Sequence, residues 1–211
     1  MQAPDRPPRH FSMMRSLQLA DFLTLGNAAC GVAGVFCAML FATSRDWAYF
    51  VAAVALAPAA LIFDVLDGRV ARWRQQQSIL GRELDSLADV ISFGVAPASL
   101  AFAVGMNGVW DWVALIYFVC CGVSRLARFN VTAAALADPS TGKVKYFEGT
   151  PIPTSILIVA MWGAAFAVGR IDEAVWFGAF RLGPALLHPL SLVYAASGSA
   201  MISATLRVPK P

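Results

Sequence analysis

Residues 22–44 read FLTLGNAACGVAGVFCAMLFATS, 23 positions from Phe22 to Ser44 without a charged side chain. A bilayer's hydrocarbon core takes roughly 17–25 residues of helix, so this run reaches across a membrane. Five more uncharged runs follow: Trp47–Phe63 (17 residues), Val90–Trp110 (21), Trp112–Ser124 (13), Gly149–Gly169 (21) and Leu182–Leu206 (25). The 13-residue run continues past Arg125 and Arg128 to Ala137, which reads as one helix with two arginines in its final turns. Strand-period alternation is absent, which argues against a barrel. The expectation is an all-α integral membrane protein of six transmembrane helices, one domain over residues 1–211.

Composition agrees. The chain is 58% hydrophobic and 14% charged, whereas soluble domains carry roughly 25% charged residues. A net charge of +3 is too weak to argue for a nucleic-acid partner. The basic residues divide unevenly between the two faces that six spans define. Arg6, Arg9, Arg15, Arg69, Arg72, Arg74, Arg82, Arg125, Arg128, Lys143, Lys145, Arg207 and Lys210 fall on one face; Arg45, Arg170 and Arg181 fall on the other. The positive-inside rule then puts both termini in the cytoplasm of a multi-pass cell-membrane protein, with residues 1–15 as a cytoplasmic segment. No cleavable leader is expected, because the first apolar run is long enough to stay in the membrane. Cys30, Cys37, Cys120 and Cys121 all lie in apolar runs with no CxxC pair, and read as inert packing residues. No internal repeat stands out, which weakens a transporter reading.

Five acids crowd into 26 residues. The segment runs Asp64-Val-Leu-Asp67-Gly68-Arg69-Val-Ala71-Arg72, then eight residues, then Gly81-Arg82-Glu83-Leu-Asp85-Ser-Leu-Ala-Asp89. The first half ends the second span and the second half opens the third, both at the cytoplasmic face. At about 100° per residue, Asp64 and Asp67 share a helix face, as do Asp85 and Asp89. Four carboxylates can therefore converge from two helices. Like charges this close repel unless cations intervene. Carboxylates without His or thiolate partners suit the hard cations Mg²⁺ or Mn²⁺, and two such ions could bridge a diphosphate. Gly68 and Ala71 leave a nearly bare face where a nucleotide could reach the backbone. Gly81 would let the two helices approach, and Arg72 can pair with a phosphate. The plainer alternative is that the acids pair with Arg69, Arg72, Arg74 and Arg82 to be tolerated near a membrane. Acids at i,i+3 and i,i+4 spacing with interleaved Gly and Ala fit that alternative poorly. A cation or proton carrier is the rival from another class; it predicts acids spread through the membrane depth, whereas these sit at one face.

The pattern D-x-x-D-G-x-x-A-R-x(8)-G-x-x-x-D-x-x-x-D resembles the signature of the CDP-alcohol phosphotransferase family. Here it is carried by Asp64, Asp67, Gly68, Ala71, Arg72, Gly81, Asp85 and Asp89, with the spacer intact. The flanking Ser92-Phe93-Gly94-Val-Ala96-Pro97, Ser124-Arg125-Leu-Ala-Arg128-Phe129-Asn130 and Phe147-Glu-Gly149-Thr-Pro151-Ile-Pro153 look like the family's membrane-type phosphatidylserine-synthase branch. One departure is that Ala20-Asp21 precedes Phe22-Leu23-Thr24 where many members carry Pro-Asn. The resemblance implies that Asp64, Asp67 and Asp85 are metal ligands. Asp89 would be the general base, with a possible ligand oxygen. Gly68, Ala71 and Arg72 would form the cytidine-diphosphate cradle. It also implies CDP-diacylglycerol and L-serine as substrates, phosphatidylserine and CMP as products, and a homodimer.

The acceptor alcohol is less sharply written. A serine carboxylate calls for a guanidinium. Arg125 and Arg128, three apart, are candidates for that carboxylate or for a phosphate, against plain snorkelling. Choline would call for an aromatic cage, and none sits by these motifs. Glycerol phosphate or inositol phosphate would also want Arg125, Arg128, Lys143 and Lys145, so the flanking motifs rather than the charges favour serine. Ser92 is a further acceptor-site candidate, against helix packing. Asn27 and Asn130 read as structural hydrogen-bonding residues. His188 reads as structural, with no partner acid nearby. Pro58 is expected to kink the second span, and Gly149–Pro153 to shape the entry to the fifth.

Overall fold

The computed structural model describes residues 18–74, 79–136, 146–171, 175, 177–203, 205 and 207–209. The expected cytoplasmic segment 1–15, Lys143, Lys145 and Lys210 lie outside these. The described chain is mostly helical. Helix α1 spans Leu19–Ser44 and α2 spans Trp47–Arg74. Helix α3, Ile79–Asp89, passes through a π turn, Val90–Val95, into α4, Ala96–Val104. Helix α5 covers Val109–Leu136. Strand β1 (Tyr146–Glu148) and a 3₁₀ turn (Ile152–Ser155) lead into α6, Ile156–Ala167. Strands β2 (Phe180–Leu182) and β3 (Ala185–Leu187) precede α7, Ser191–Ile202, and β4 (Arg207–Pro209) pairs antiparallel with β1.

Four helical segments are long and apolar enough to cross a membrane: Leu19–Ser44, Trp47–Trp73, Leu80–Val104 and Val109–Val131. Their outward faces carry large apolar side chains, such as Phe36, Ile62 and Ile116, each 60% exposed. Water would not tolerate that much exposed apolar surface, but lipid does. The expected fifth and sixth spans are shorter than the uncharged runs that suggested them. Helix α7 has 12 residues, about 18 Å of helix against a hydrocarbon core of about 30 Å. Its run loses length at the start, where Gly183-Pro184 turns β2 back on β3. Gly183 sits at φ +64° as the first central residue of that two-residue turn, a conformation glycine adopts without strain.

Helix α1 organises the bundle. Its buried positions are Asp21, Thr24, Asn27, Gly31, Gly34, Ala38 and Phe41, one stripe at three- and four-residue spacing. The stripe is polar at the N-terminal end, small in the middle and aromatic at the far end. The stripe packs on α2, α3, the π turn and α4. At Gly31 the approach is so close that a Cβ would lie 2.8 Å from the Ser92 Cα, so only glycine fits. At the start of α1, the Gln18 N–H donates to Asp21 Oδ2 at 2.7 Å; at its end Arg45, in the left-handed region at φ 57°, donates its N–H to the Phe41 carbonyl. Asp46 Oδ1 then accepts the Ala48 N–H at 2.9 Å and opens α2. Helix α2 runs on through Pro58 as one element.

The π turn has a local cause. Pro97 has no N–H to offer the carbonyl four residues back, and the Ala96 N–H reaches five residues back, to Ile91. The wider turn buries Ser92, Phe93 and Gly94 consecutively, which α periodicity does not allow. The core closes around it. Trp162 Nε1 donates to the Tyr194 hydroxyl at 2.9 Å, which donates to the Pro97 carbonyl at 3.1 Å, tying α6 and α7 to α4. Phe41, Trp47, Phe50 and Phe166 stack at the opposite end, with ring centroids 5.0–5.8 Å apart.

His188 does have a partner acid. Its Nδ1 lies 2.6 Å from Asp111 Oδ2, and Asp111 also accepts N–H bonds from Gly108 (2.9 Å) and His188 (2.8 Å). The pair is 77 residues apart in sequence, so no local spacing announces it. Asp111 is fully buried, with both oxygens satisfied, and fastens the α4–α5 connection to the segment entering α7. Replacing Gly31 with Leu should force α1 off the π turn and lower the thermal unfolding midpoint of the detergent-purified protein. The expected cost is about 1–3 kcal/mol, the usual scale of overpacking; an unchanged midpoint would show that the contact is not tight.

Candidate active site

The signature acids do converge. Helix α2 brings Asp64 and Asp67 near its C-terminal end, and α3 brings Asp85 from its second half. Carboxylate oxygens of these three lie within 4.8 Å of one another. Asp67 is buried, while Asp64 and Asp85 are partly exposed. Asp89 is one turn further along α3, buried, and outside that group of three. The polar end of the α1 stripe reaches both helices. Thr24 Oγ1 donates to Asp67 Oδ2 at 2.7 Å, and Asn27 Nδ2 donates to Asp89 Oδ1 at 3.1 Å.

The arrangement suits a divalent cation. Three carboxylates within contact range repel one another, and no His or thiolate accompanies them. Asp85 Oδ1 is buried and has no hydrogen-bond partner among the described residues, so an oxygen is left for a ligand. Beside the acids, a Cβ added at Gly68 would meet nothing within 4 Å. No packing among the described residues requires that glycine, and the helix backbone is left open there. Ala71 is partly buried and Arg72 exposed next to this opening, and Gly81 is partly buried at the start of α3.

The other candidates divide. Arg125, in α5, is partly buried and interacts electrostatically with Asp89, and its Nε has no hydrogen-bond partner among the described residues. Arg128 is exposed. The Ser92 hydroxyl donates to the Asn27 carbonyl at 2.8 Å, so it fixes the backbone of α1. Asn130 Nδ2 donates to Ser86 Oγ at 3.0 Å and Glu83 Oε2 at 3.3 Å, joining α5 to α3 and so placing Arg125 near the acids. Thr24 is not singled out by the sequence, and Asn27 is a polar candidate there with structural hydrogen bonding as the favoured reading. The signal available was their three-residue spacing with Asp21 in an otherwise apolar helix.

A family model described as CDP-alcohol phosphatidyltransferase matches residues 17–191. The chain belongs to that family. Curated relatives carry one name, CDP-diacylglycerol–serine O-phosphatidyltransferase. The chain is 47% identical to that of Saccharomyces cerevisiae over 206 residues, 96% of this chain and 74% of the yeast protein. It is 42% identical to that of Mycobacterium leprae over 132 residues, 61% of this chain and 40% of the relative. For Methanocaldococcus jannaschii the identity is 33% over 149 residues, 71% of this chain and 62% of the relative. The matched region thus spans less than two thirds of the mycobacterial and archaeal proteins.

A metal held by the three aspartates would be measurable without turnover. Mn²⁺ titrated into the purified protein should raise its unfolding midpoint, and Asp85→Asn should abolish the shift. Thr24→Val, which removes the donor behind Asp67, should weaken Mn²⁺ by about 10–100-fold, the range for partners that orient metal ligands. An equal Mn²⁺ response in wild type and Asp85→Asn would remove Asp85 from the ligand set.

Proposed function

We propose that the chain is a metal-dependent CDP-diacylglycerol–serine O-phosphatidyltransferase of the cell membrane, with its reaction centre at the cytoplasmic face. The observation that carries this reading is the three-aspartate cluster, with its unpartnered Asp85 oxygen, beside the open backbone at Gly68. The names of the relatives support the choice of substrates.

Asp64, Asp67 and Asp85 would hold Mg²⁺ or Mn²⁺, as two ions to match the charge of a diphosphate ligand, with Asp89 able to add an oxygen. The metal would supply positive charge to the diphosphate and to the departing CMP. The chain's own groups do the rest. Gly68, Ala71 and Arg72 receive the cytidine diphosphate, and Gly81 belongs to the same cradle. Asp89, oriented by Asn27, accepts the proton of the serine hydroxyl as that oxygen attacks the β-phosphorus. A hydroxyl is a weak nucleophile at neutral pH, so a positioned base is needed. The bond to CMP breaks, and phosphatidylserine stays in the bilayer. Arg125 receives the serine carboxylate, and exposed Arg128 a phosphate or lipid headgroup. A six-span topology with both termini cytoplasmic puts this centre where a soluble amino acid meets a lipid nucleotide. In that topology α6 and α7 make the last two crossings with their flanking turns. A homodimer is part of the same proposal and rests on family resemblance.

The test is purified protein with CDP-diacylglycerol, Mn²⁺ or Mg²⁺, and a panel of L-serine, glycerol phosphate, inositol phosphate and choline. CMP release should be fastest with serine and absent without metal; a faster rate with another alcohol overturns the acceptor assignment. Asp89→Asn should still bind CDP-diacylglycerol while turnover falls at least about 100-fold, the lower end for loss of a general base. Near-normal turnover would take Asp89 out of that role.

A further inference from the structure

We infer that Asn27 determines specificity for the acceptor, its Nδ2 holding Asp89 while its Oδ1 receives the ammonium group of an α-amino acid. The inference rests on the serine reading above and deepens it. Asn27 is fully buried. Its Nδ2 donates to Asp89 Oδ1 at 3.1 Å, yet its Oδ1 is buried with no hydrogen-bond partner among the described residues. A buried carbonyl without a donor is destabilising, so one retained in a native fold calls for an explanation. Turning the amide over does not relieve it, because the carbonyl would then face the Asp89 carboxylate.

A second orphan has the opposite character. Arg125 Nε is a buried donor without a partner among the described residues, and Arg125 interacts with the same Asp89. An orphan acceptor and an orphan donor therefore flank one carboxylate. An α-amino acid with a hydroxymethyl side chain has the complementary set. Its hydroxyl meets Asp89, its ammonium meets the amide oxygen and its carboxylate meets the guanidinium. The amide is also held still. Ser92 Oγ donates to the Asn27 carbonyl at 2.8 Å, and the close contact at Gly31 anchors α1 one turn further on. An alcohol lacking the amine leaves Oδ1 unpaired, which is how a polar site rejects an analogue.

The test compares L-serine with 3-hydroxypropionate, which keeps the hydroxymethyl and carboxylate but lacks the amine. The full chain is assayed with CDP-diacylglycerol and Mn²⁺ as wild type, Asn27→Leu, Asn27→Ser and Asn27→Asp. Metal-dependent CDP-diacylglycerol binding serves as the check on folding. Wild type should prefer serine in kcat/KM by at least about 100-fold, a modest share of what polar discrimination can reach. Asn27→Leu should shrink that preference at least about tenfold through a raised KM for serine. Asn27→Ser, too short to reach either group, gives the same result should the Leu variant not fold. Asn27→Asp keeps an acceptor for the ammonium but loses the donor to Asp89, so it should retain the preference and lose kcat. If the Leu and Ser variants slow both acceptors by one common factor, the specificity role is overturned while the serine reading stands. If wild type itself prefers an alcohol without an amine, both readings fall.

Discussion

The close approach of Gly31 in α1 to Ser92 in the π turn brings the polar residues of α1 beside the acids of the neighbouring helices. Once α1 lies on the π turn, Ser92 can reach the Asn27 carbonyl. Asn27 then meets Asp89 on the adjoining helix, and one turn earlier Thr24 meets Asp67 on α2. A single stripe of one helix thus places donors against acids from two others. The π turn buries three consecutive residues, Ser92 among them against α1, without ending the helix that carries Asp85 and Asp89. Local widening of a helix is costly in regular hydrogen bonds and tends to persist where a site requires it.

Electrostatics explains why the donors are needed. Carboxylates at the end of apolar helices lose part of their hydration, and three of them together repel. Thr24 and Asn27 offset some of that cost by donating hydrogen bonds, and neither adds a charge. The remaining repulsion is left for a cation. The same geometry would poorly suit a structural ion-pair cluster, whose acids should be saturated by arginines within the fold. It also differs from a carrier's pathway, since the acids stay at one end of the helices instead of following their length.

The sequence showed the two acid pairs plainly, because i,i+3 and i,i+4 spacing converts directly into shared helix faces. Of the six spans expected, four are helices long and apolar enough to cross a membrane among the described residues, since a long uncharged helix has no other comfortable environment. Other features depended on contacts between distant segments. Asn27 and Asp89 are 62 residues apart, and Asp111 and His188 are 77 apart, so no local period links either pair. The run Leu182–Leu206 misled for a different reason. Hydropathy counts apolar residues without regard to the Gly183-Pro184 turn, which starts a hairpin where a helix was expected. The Ser92 hydroxyl was read toward the acceptor site on α-helical phase, and the π turn changes that phase.

The two ends of the molecule treat a buried carboxylate differently, and the difference separates structure from chemistry. At one end, Asp111 accepts two backbone N–H groups and faces the His188 ring, so both of its oxygens are occupied within the fold. At the other end the accounting is left open. The buried side-chain polar atoms without partners among the described residues belong to Asn27, Asp85, Arg125, Thr150 and Ser155. The first three surround Asp89 or the acid cluster; Thr150 precedes, and Ser155 ends, the 3₁₀ turn that packs on the π turn. The unpartnered atoms of Asn27, Asp85 and Arg125 are open to a group that arrives from outside. Those atoms include both donors and acceptors beside a cluster of negative charge, so what arrives must bring cationic and anionic groups together. A metal-bound diphosphate and a zwitterionic alcohol meet that requirement jointly, whereas a bare ion in transit would meet only half of it.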